Sequence, residues 1–217
     1  MIVKRMVLKN FASFHGYALD LEEGFNLILG PSGCGKTNLA RAFKFAVLGQ
    51  TDVPWGRLIN IEHQQKCSEK RQNPFCQVEV TLHKGKDLHA QRTLRLVQNE
   101  ITESATVDLG ISDILTGNLG LVCLSPMSAQ FEEDNELPSG VRLINAVVRN
   151  LERNVALDIK IVILDGIFGH LSNASAENLF SHIKKMGLDQ TVILESIMKP
   201  AFEGRVRTFF MDLERWE

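Results

Sequence analysis

Eight consecutive residues carry the clearest chemistry in the chain: Gly30-Pro31-Ser32-Gly33-Cys34-Gly35-Lys36-Thr37. Their spacing is glycine, four residues, then Gly-Lys-Thr. Glycines let successive N–H groups turn inward around an anion and take up positive φ angles. Lys36 adds a point charge, and the Thr37 hydroxyl is of the kind that ligates Mg²⁺. Such a loop wraps nucleotide phosphates, so ATP with Mg²⁺ is the expected ligand pair. A carboxylate should hold the ion from the end of another strand, and Ile161-Val162-Ile163-Leu164-Asp165 offers one. The alternative role for Asp165 is a turn cap.

The neighbouring segments have the patterns needed to position this loop. Phe25 to Leu29 is a short apolar run stopping at Gly30, as in a buried parallel strand. From Lys36 onward, Leu39, Ala42, Phe43, Ala46 and Val47 recur at helical spacing, and Gly49 ends the helix. Met1 to Leu8 and Tyr17 to Leu21 read as strands about the turn Phe11 to Gly16. Gln77 to Leu82 and Leu88 to Val97 read as a hairpin turning near Gly85. Ile111 to Leu115 is expected as a short helix, Leu119 to Leu124 as a buried strand, and Gln130 to Pro138 as an acidic loop. Ser139 is expected to cap a helix with apolar positions Val141, Ile144, Val148 and Leu151. Ala176 to Met186 is amphipathic, Thr191 to Leu194 is another buried strand, and Val206 to Met211 an edge strand. The alternation implies a mostly parallel sheet flanked by helices, with an antiparallel annex.

Composition narrows the class. The 217 residues are 23% charged and 44% hydrophobic, ordinary for a soluble globular chain. A net charge of −2 gives no long-range attraction for polyanions. DNA contact therefore needs a local patch, for which Lys84, Lys86, Arg92 and Arg95 are candidates if the hairpin gathers them; otherwise they are solvated surface. The four cysteines show no CxxC pair, which suits a reduced intracellular protein. The longest apolar stretch, Ile159 to Phe168, is too short to span a bilayer, and a cytoplasmic or nucleoid location without membrane contact is expected.

The segments Val7-Leu8-Lys9-Asn10-Phe11-Ala12-Ser13-Phe14, Gly24-Phe25-Asn26-Leu27-Ile28-Leu29-Gly30 and Thr37-Asn38-Leu39 resemble the head of SMC proteins. They are equally similar to the related RecF, RecN and zinc-hook DNA-repair ATPases. The hairpin with Arg92 and the late helix–strand block follow in the same order, so the likeness runs over most of the chain. The resemblance implies an α/β P-loop NTPase of the ABC type, organised as one head. Its stretches would be 1–56 opening the P-loop lobe, 57–118 as the antiparallel annex, and 119–217 as the signature-helix and magnesium-aspartate lobe. It also implies an ATP-dependent homodimer, Asn38 among the nucleotide contacts, and DNA or a longer DNA-repair protein as partner.

Several positions depart from that pattern. The signature Leu-Ser-Gly-Gly is represented by Leu137-Pro138-Ser139-Gly140, so Ser139 and Gly140 either meet a partner's nucleotide or simply begin a helix. Gly166 stands where the resemblance implies the glutamate that activates water, and Leu171-Ser172 replaces Leu-Asp. Ala12 replaces a basic residue, and Gln130 is a weak candidate for the Mg²⁺-sensing glutamine. Glu195 occupies the switch position at the end of the strand expected between the magnesium-aspartate and P-loop strands. It is either a displaced base, alongside the catalytic Lys36, or a partner for a nearby backbone or basic group. Only the short loop Met127 to Pro138 stands where the long coiled coil would be inserted. The expectation is a slow ATPase head in DNA repair or chromosome transactions, against a non-hydrolysing, ATP-stabilised structural or regulatory protein. A transporter's nucleotide-binding subunit fits less well.

Overall fold

A computed structural model describes residues 1–108, 111, 121–126, 139–155 and 161–211. The strands form two five-stranded sheets, and the chain falls into two compact units. One unit holds Met1–Ile2, Glu22–Ser32 and the described part of Leu115–Met211. The other holds Val3–Leu21 and the described part of Gly33–Ile114.

The first unit is built on a parallel sheet. Its strands are β3 (Gly24–Leu29), β7 (Leu121–Leu124), β8 (Ile161–Asp165), β9 (Gln190–Glu195) and β10 (Arg207–Phe210). They lie in the order β10-β3-β9-β8-β7, and all four pairings are parallel. β8 and β9 are buried almost throughout, which explains their near-continuous apolar runs. Helix α3 (Ser139–Val155) packs against β7 and against helix α4 (Asn173–Lys185). The core includes Leu143, Val147, Leu151, Leu179, Phe180 and Ile183 from these helices. α4 begins on Ser172, whose hydroxyl accepts from Ser175 N at 3.2 Å. Val206 to Met211 does supply an edge strand, aligned parallel to β3.

The second unit is built on β1 (Ile2–Phe11), β2 (Phe14–Asp20), β4 (Phe75–Lys84), β5 (Lys86–Val97) and β6 (Glu100–Val107). Their order is β2-β1-β4-β5-β6. β1–β2, β4–β5 and β5–β6 are antiparallel. Half of the described strands thus belong to this sheet, so "mostly parallel with an annex" understates it: β1 and β2 join the hairpin sheet and not the parallel one. Burial alternates along β4, as expected of a sheet with one covered face. Helix α1 (Lys36–Leu48) packs on β4 and β5, and helix α2 (Ile61–Glu69) is capped by Asn60.

Of the expected elements, the helix 111–115 lies outside the described residues except for Ile111, and so does the loop from Met127 to Pro138 with Gln130. No helix among the described residues is long and apolar enough to cross a membrane.

Candidate functional site

The phosphate-loop sequence sits between β3 and α1, and the chain passes from one unit to the other between Ser32 and Gly33. Gly33 and Gly35 take φ of 85° and 98°, the left-handed region that glycine enters without strain. Gly35 is also closed in, since a Cβ there would lie 2.7 Å from Ser13 Oγ. It forms the N-terminal boundary of α1, and its carbonyl accepts from Asn38 N at 2.8 Å and Leu39 N at 3.2 Å. α1 has no side-chain cap, whereas α2 and α4 each have one. An uncapped helix start behind a glycine loop is the arrangement that an anion completes.

Lys36 is buried at 9% exposure, and its Nζ lies 3.6 Å from Cys34 Sγ, donating across the loop. Pro31, Ser32, Gly33 and Thr37 are exposed, Gly30, Gly35 and Asn38 are half-buried, and Cys34 is buried. Thr37 stands exposed on the first turn of α1.

In the parallel-sheet unit, the other candidates converge on one end of the sheet. β9 lies between β3 and β8. Leu29 pairs with Glu195, Asp165 pairs with Leu194, and Gly30 N–H donates to the Glu195 carbonyl at 3.2 Å. Gly30, Glu195 and Asp165 therefore mark the carboxyl ends of three adjacent parallel strands, where open α/β sheets bind ligands.

Glu195 is 2% exposed, and both of its carboxylate oxygens are engaged. Oε1 accepts from Phe168 N at 2.6 Å and Oε2 from Gly169 N at 3.2 Å. The carboxylate thus ties down the single turn Phe168–His170 that follows Asp165. Burial pushes its pKa up to about 7, backbone hydrogen bonds from Phe168, Gly169 and Ser196 oppose that shift, and the Asp165 charge adds to it. Gly166, at φ 69°, occupies a backbone state that would strain a glutamate. Its N–H donates to Leu194 O at 2.9 Å, so the turn is fastened to β9 at both levels.

Ser139 is the first residue of α3, with Gly140 beside it. Ser139 lines a cavity of about 300 Å³ with Pro126, Arg142, Leu143 and His170. Pro138 lies outside the described residues.

The hairpin does not gather the four basic residues. Lys84 and Lys86 face each other at the turn end, while Arg95 lies opposite Phe75 at the far end with its guanidinium over that ring. Arg92 is ion-paired with Glu103. Sequence reasoning missed Ser13 and Arg41 as neighbours of the loop. The only local sign was Arg41 standing three residues after Asn38, on the same helix face.

The profile of the AAA domain family matches residues 5–123, more than half of the chain. The chain belongs to the AAA domain family. The Chromosome partition protein Smc of Methanocaldococcus jannaschii is 47% identical over 51 residues, 24% of this chain and 4% of that protein. The DNA double-strand break repair Rad50 ATPase of Nanoarchaeum equitans is 43% identical over 49 residues, 23% of this chain and 6% of that protein. The chain therefore spans a small fraction of the curated relatives it matches. The crystal structure of an SMC head bound to the C-winged helix domain of ScpA superimposes with a TM-score of 0.63 at 13% identity. That match covers 91% of this chain and 90% of the other. This AAA domain chain has the fold of an SMC head, with sequence relatives in the Smc and Rad50 proteins.

Proposed function

We infer that the chain is an ATP-binding SMC-like head that dimerises around ATP, hydrolyses it slowly, and serves DNA repair or chromosome transactions. The observation that carries this reading is the phosphate loop: left-handed Gly33 and Gly35 leading into the uncapped start of α1, with Lys36 folded along it. Gly30 to Thr37 and Asn38 would hold the nucleotide. Thr37 and Asp165 are of the right chemistry for Mg²⁺, a hydroxyl and a carboxylate. When bound, that ion neutralises charge on the outer phosphates. The names of the Smc and Rad50 relatives support the chromosomal setting, inside the cell, with DNA or a longer repair protein as partner. Ser139 and Gly140, at the start of α3, would meet the nucleotide of a second copy.

Slow turnover follows from Gly166, which has no group to accept a proton. Absence of a general base costs about 10²–10⁴-fold in rate. Glu195 is the remaining carboxylate at that end of the sheet, and with its pKa near neutrality it would act as the base or water-positioning group. A second reading, a non-hydrolysing ATP-stabilised protein, is favoured by the engagement of both Glu195 oxygens with backbone N–H groups.

Single-turnover hydrolysis with Lys36→Ala as the blank tests the first reading, with size-exclusion run in parallel with and without Mg·ATP. Removing a charge-assisted contact to phosphate should lower ATP affinity roughly ten- to hundredfold. Turnover that disappears in the variant supports the ATPase. ATP binding and a dimer without turnover would put the non-hydrolysing reading first, and no ATP binding at all would sink both.

A further inference from the structure

In the unit that carries α1, four side chains are joined end to end. The Asp52 carboxylate accepts from Arg41 Nε at 2.7 Å and Nη2 at 2.9 Å. Arg41 Nη1 donates to Asn38 Oδ1 at 2.8 Å. Asn38 Nδ2 then donates to Ser13 Oγ at 2.9 Å. Ser13 Oγ stands where a Cβ on Gly35 would meet it at 2.7 Å, so the chain of bonds ends on a side chain packed against the phosphate loop. Ser13, Asn38, Arg41 and Val53 also line a cavity of about 600 Å³.

The turn that Ser13 belongs to needs outside support. Asn10 and Ala12 flank it at φ 51° and 49°, left-handed states that cost a non-glycine residue free energy. Tertiary bonds hold it there: Ala12 N to Leu58 O at 2.6 Å and Asn60 Nδ2 to Ala12 O at 2.9 Å, besides the Asn38 bond. The Asn38 amide has two orientations, and a Ser hydroxyl serves as partner to either. Arg41 removes that freedom, because the flipped amide would point its NH₂ at a guanidinium that has only donors. The guanidinium is itself fixed by its two-point grip on Asp52, whose pKa is lowered chiefly by that hydrogen bond.

We propose that Arg41 is a positioning residue for nucleotide binding, fixing the Asn38 amide so that Ser13 stays seated over Gly35 of the phosphate loop. The inference rests on the nucleotide reading of that loop and adds a residue that touches no phosphate. Lysine cannot replace it, because an ammonium lacks the planar fork that reaches Asp52 twice and Asn38 once. A residue acting merely as a distant positive charge would tolerate that change.

The test is ATP affinity by titration calorimetry for the full chain, Arg41→Lys, Asn38→Ala and the double variant. Inorganic tripolyphosphate serves as a second ligand, and thermal midpoints are read without ligand. Arg41→Lys should weaken ATP and tripolyphosphate binding alike, by roughly three- to tenfold, with the unliganded midpoint held. The double variant should bind no worse than Asn38→Ala alone, since one acts through the other. Unchanged affinity in Arg41→Lys, losses that multiply in the double variant, or a matching fall in the midpoint would each overturn the proposal. So would a loss confined to ATP, which would set Arg41 against the nucleoside instead of behind the loop. No ATP binding by the unaltered chain would remove the nucleotide reading and the relay together. Normal binding with an indifferent Arg41→Lys would remove the relay alone.

Discussion

Two helix starts and two buried charges are handled differently: α4 and Glu195 in the parallel-sheet unit, α1 and Lys36 in the antiparallel one. In the parallel-sheet unit, α4 starts on Ser172, a side-chain cap, and among the described residues the buried charged side chain is Glu195, engaged with backbone N–H groups of its own unit. In the antiparallel unit α2 is capped by Asn60, but α1 starts on a left-handed glycine with no side-chain cap, and among the described residues the buried charged side chain is Lys36. The α4 start and the Glu195 carboxylate are both satisfied within their own unit. The α1 start has no side-chain cap and carries Lys36 at its first position, an arrangement that favours an anion. The strands differ in the same sense. β9 is buried at every position, while β6 is exposed at six of its eight, with Ile101 and Val107 half-buried. A change in the first therefore acts on the core, and a change in the second acts mainly on solvent.

The largest effect should come from the strand that is buried at every position. Ile193→Ala in β9, at 0% exposure, should lower unfolding free energy by about 2–5 kcal/mol, measured by denaturant titration. A loss under about 1 kcal/mol would mean that this sheet is less tightly packed than its burial indicates.

Glu195→Gln comes next, and its effect depends on pH. The folded pKa of about 7 lies above the ordinary 4.5, so the folded state holds a proton that the unfolded state releases between these values. The stability contributed by this group is full below about pH 4.5 and is lost as pH rises through 7. Glutamine does not titrate, so the midpoint of the variant relative to the unaltered chain should climb from pH 5 to pH 8. The swing has an upper limit on the order of 3 kcal/mol. A flat difference in thermal melts across that range would show that Glu195 is already ionised at pH 5.

The smallest effect is expected on the exposed edge. Thr106→Ala in β6 should change stability by no more than about 0.5 kcal/mol, read in the same titration. A loss comparable to Ile193→Ala would mean that β6 is covered by a partner under the conditions used.

Much of this architecture is legible in the residues. The run Phe25 to Leu29, the loop through Thr37 and the helical spacing to Gly49 are local patterns, and each became the element expected. Two elements escaped. α2 buries only Cys67 and leaves Ile61 exposed, so it has no apolar stripe to show. β6 has no alternation in burial, with only Ile101 and Val107 half-buried, and its ladder with β5 makes it a strand. Glu195 was legible as a carboxylate at a strand end. Its grip on the Phe168–His170 turn was not, because the partners lie far apart in sequence and are backbone atoms.

By itself, the sequence determined the phosphate loop, the strand before it and the helix after it, because glycine placement and apolar spacing act over a few neighbouring residues. It also determined which carboxylates end strands. The tertiary structure decided which sheet each strand joins, that β9 stands between β3 and β8, and that Asp52, Arg41, Asn38 and Ser13 form one line of bonds. Those outcomes depend on contacts between residues far apart in the chain, where hydrogen-bond geometry is set by folding and leaves no periodic trace in the sequence.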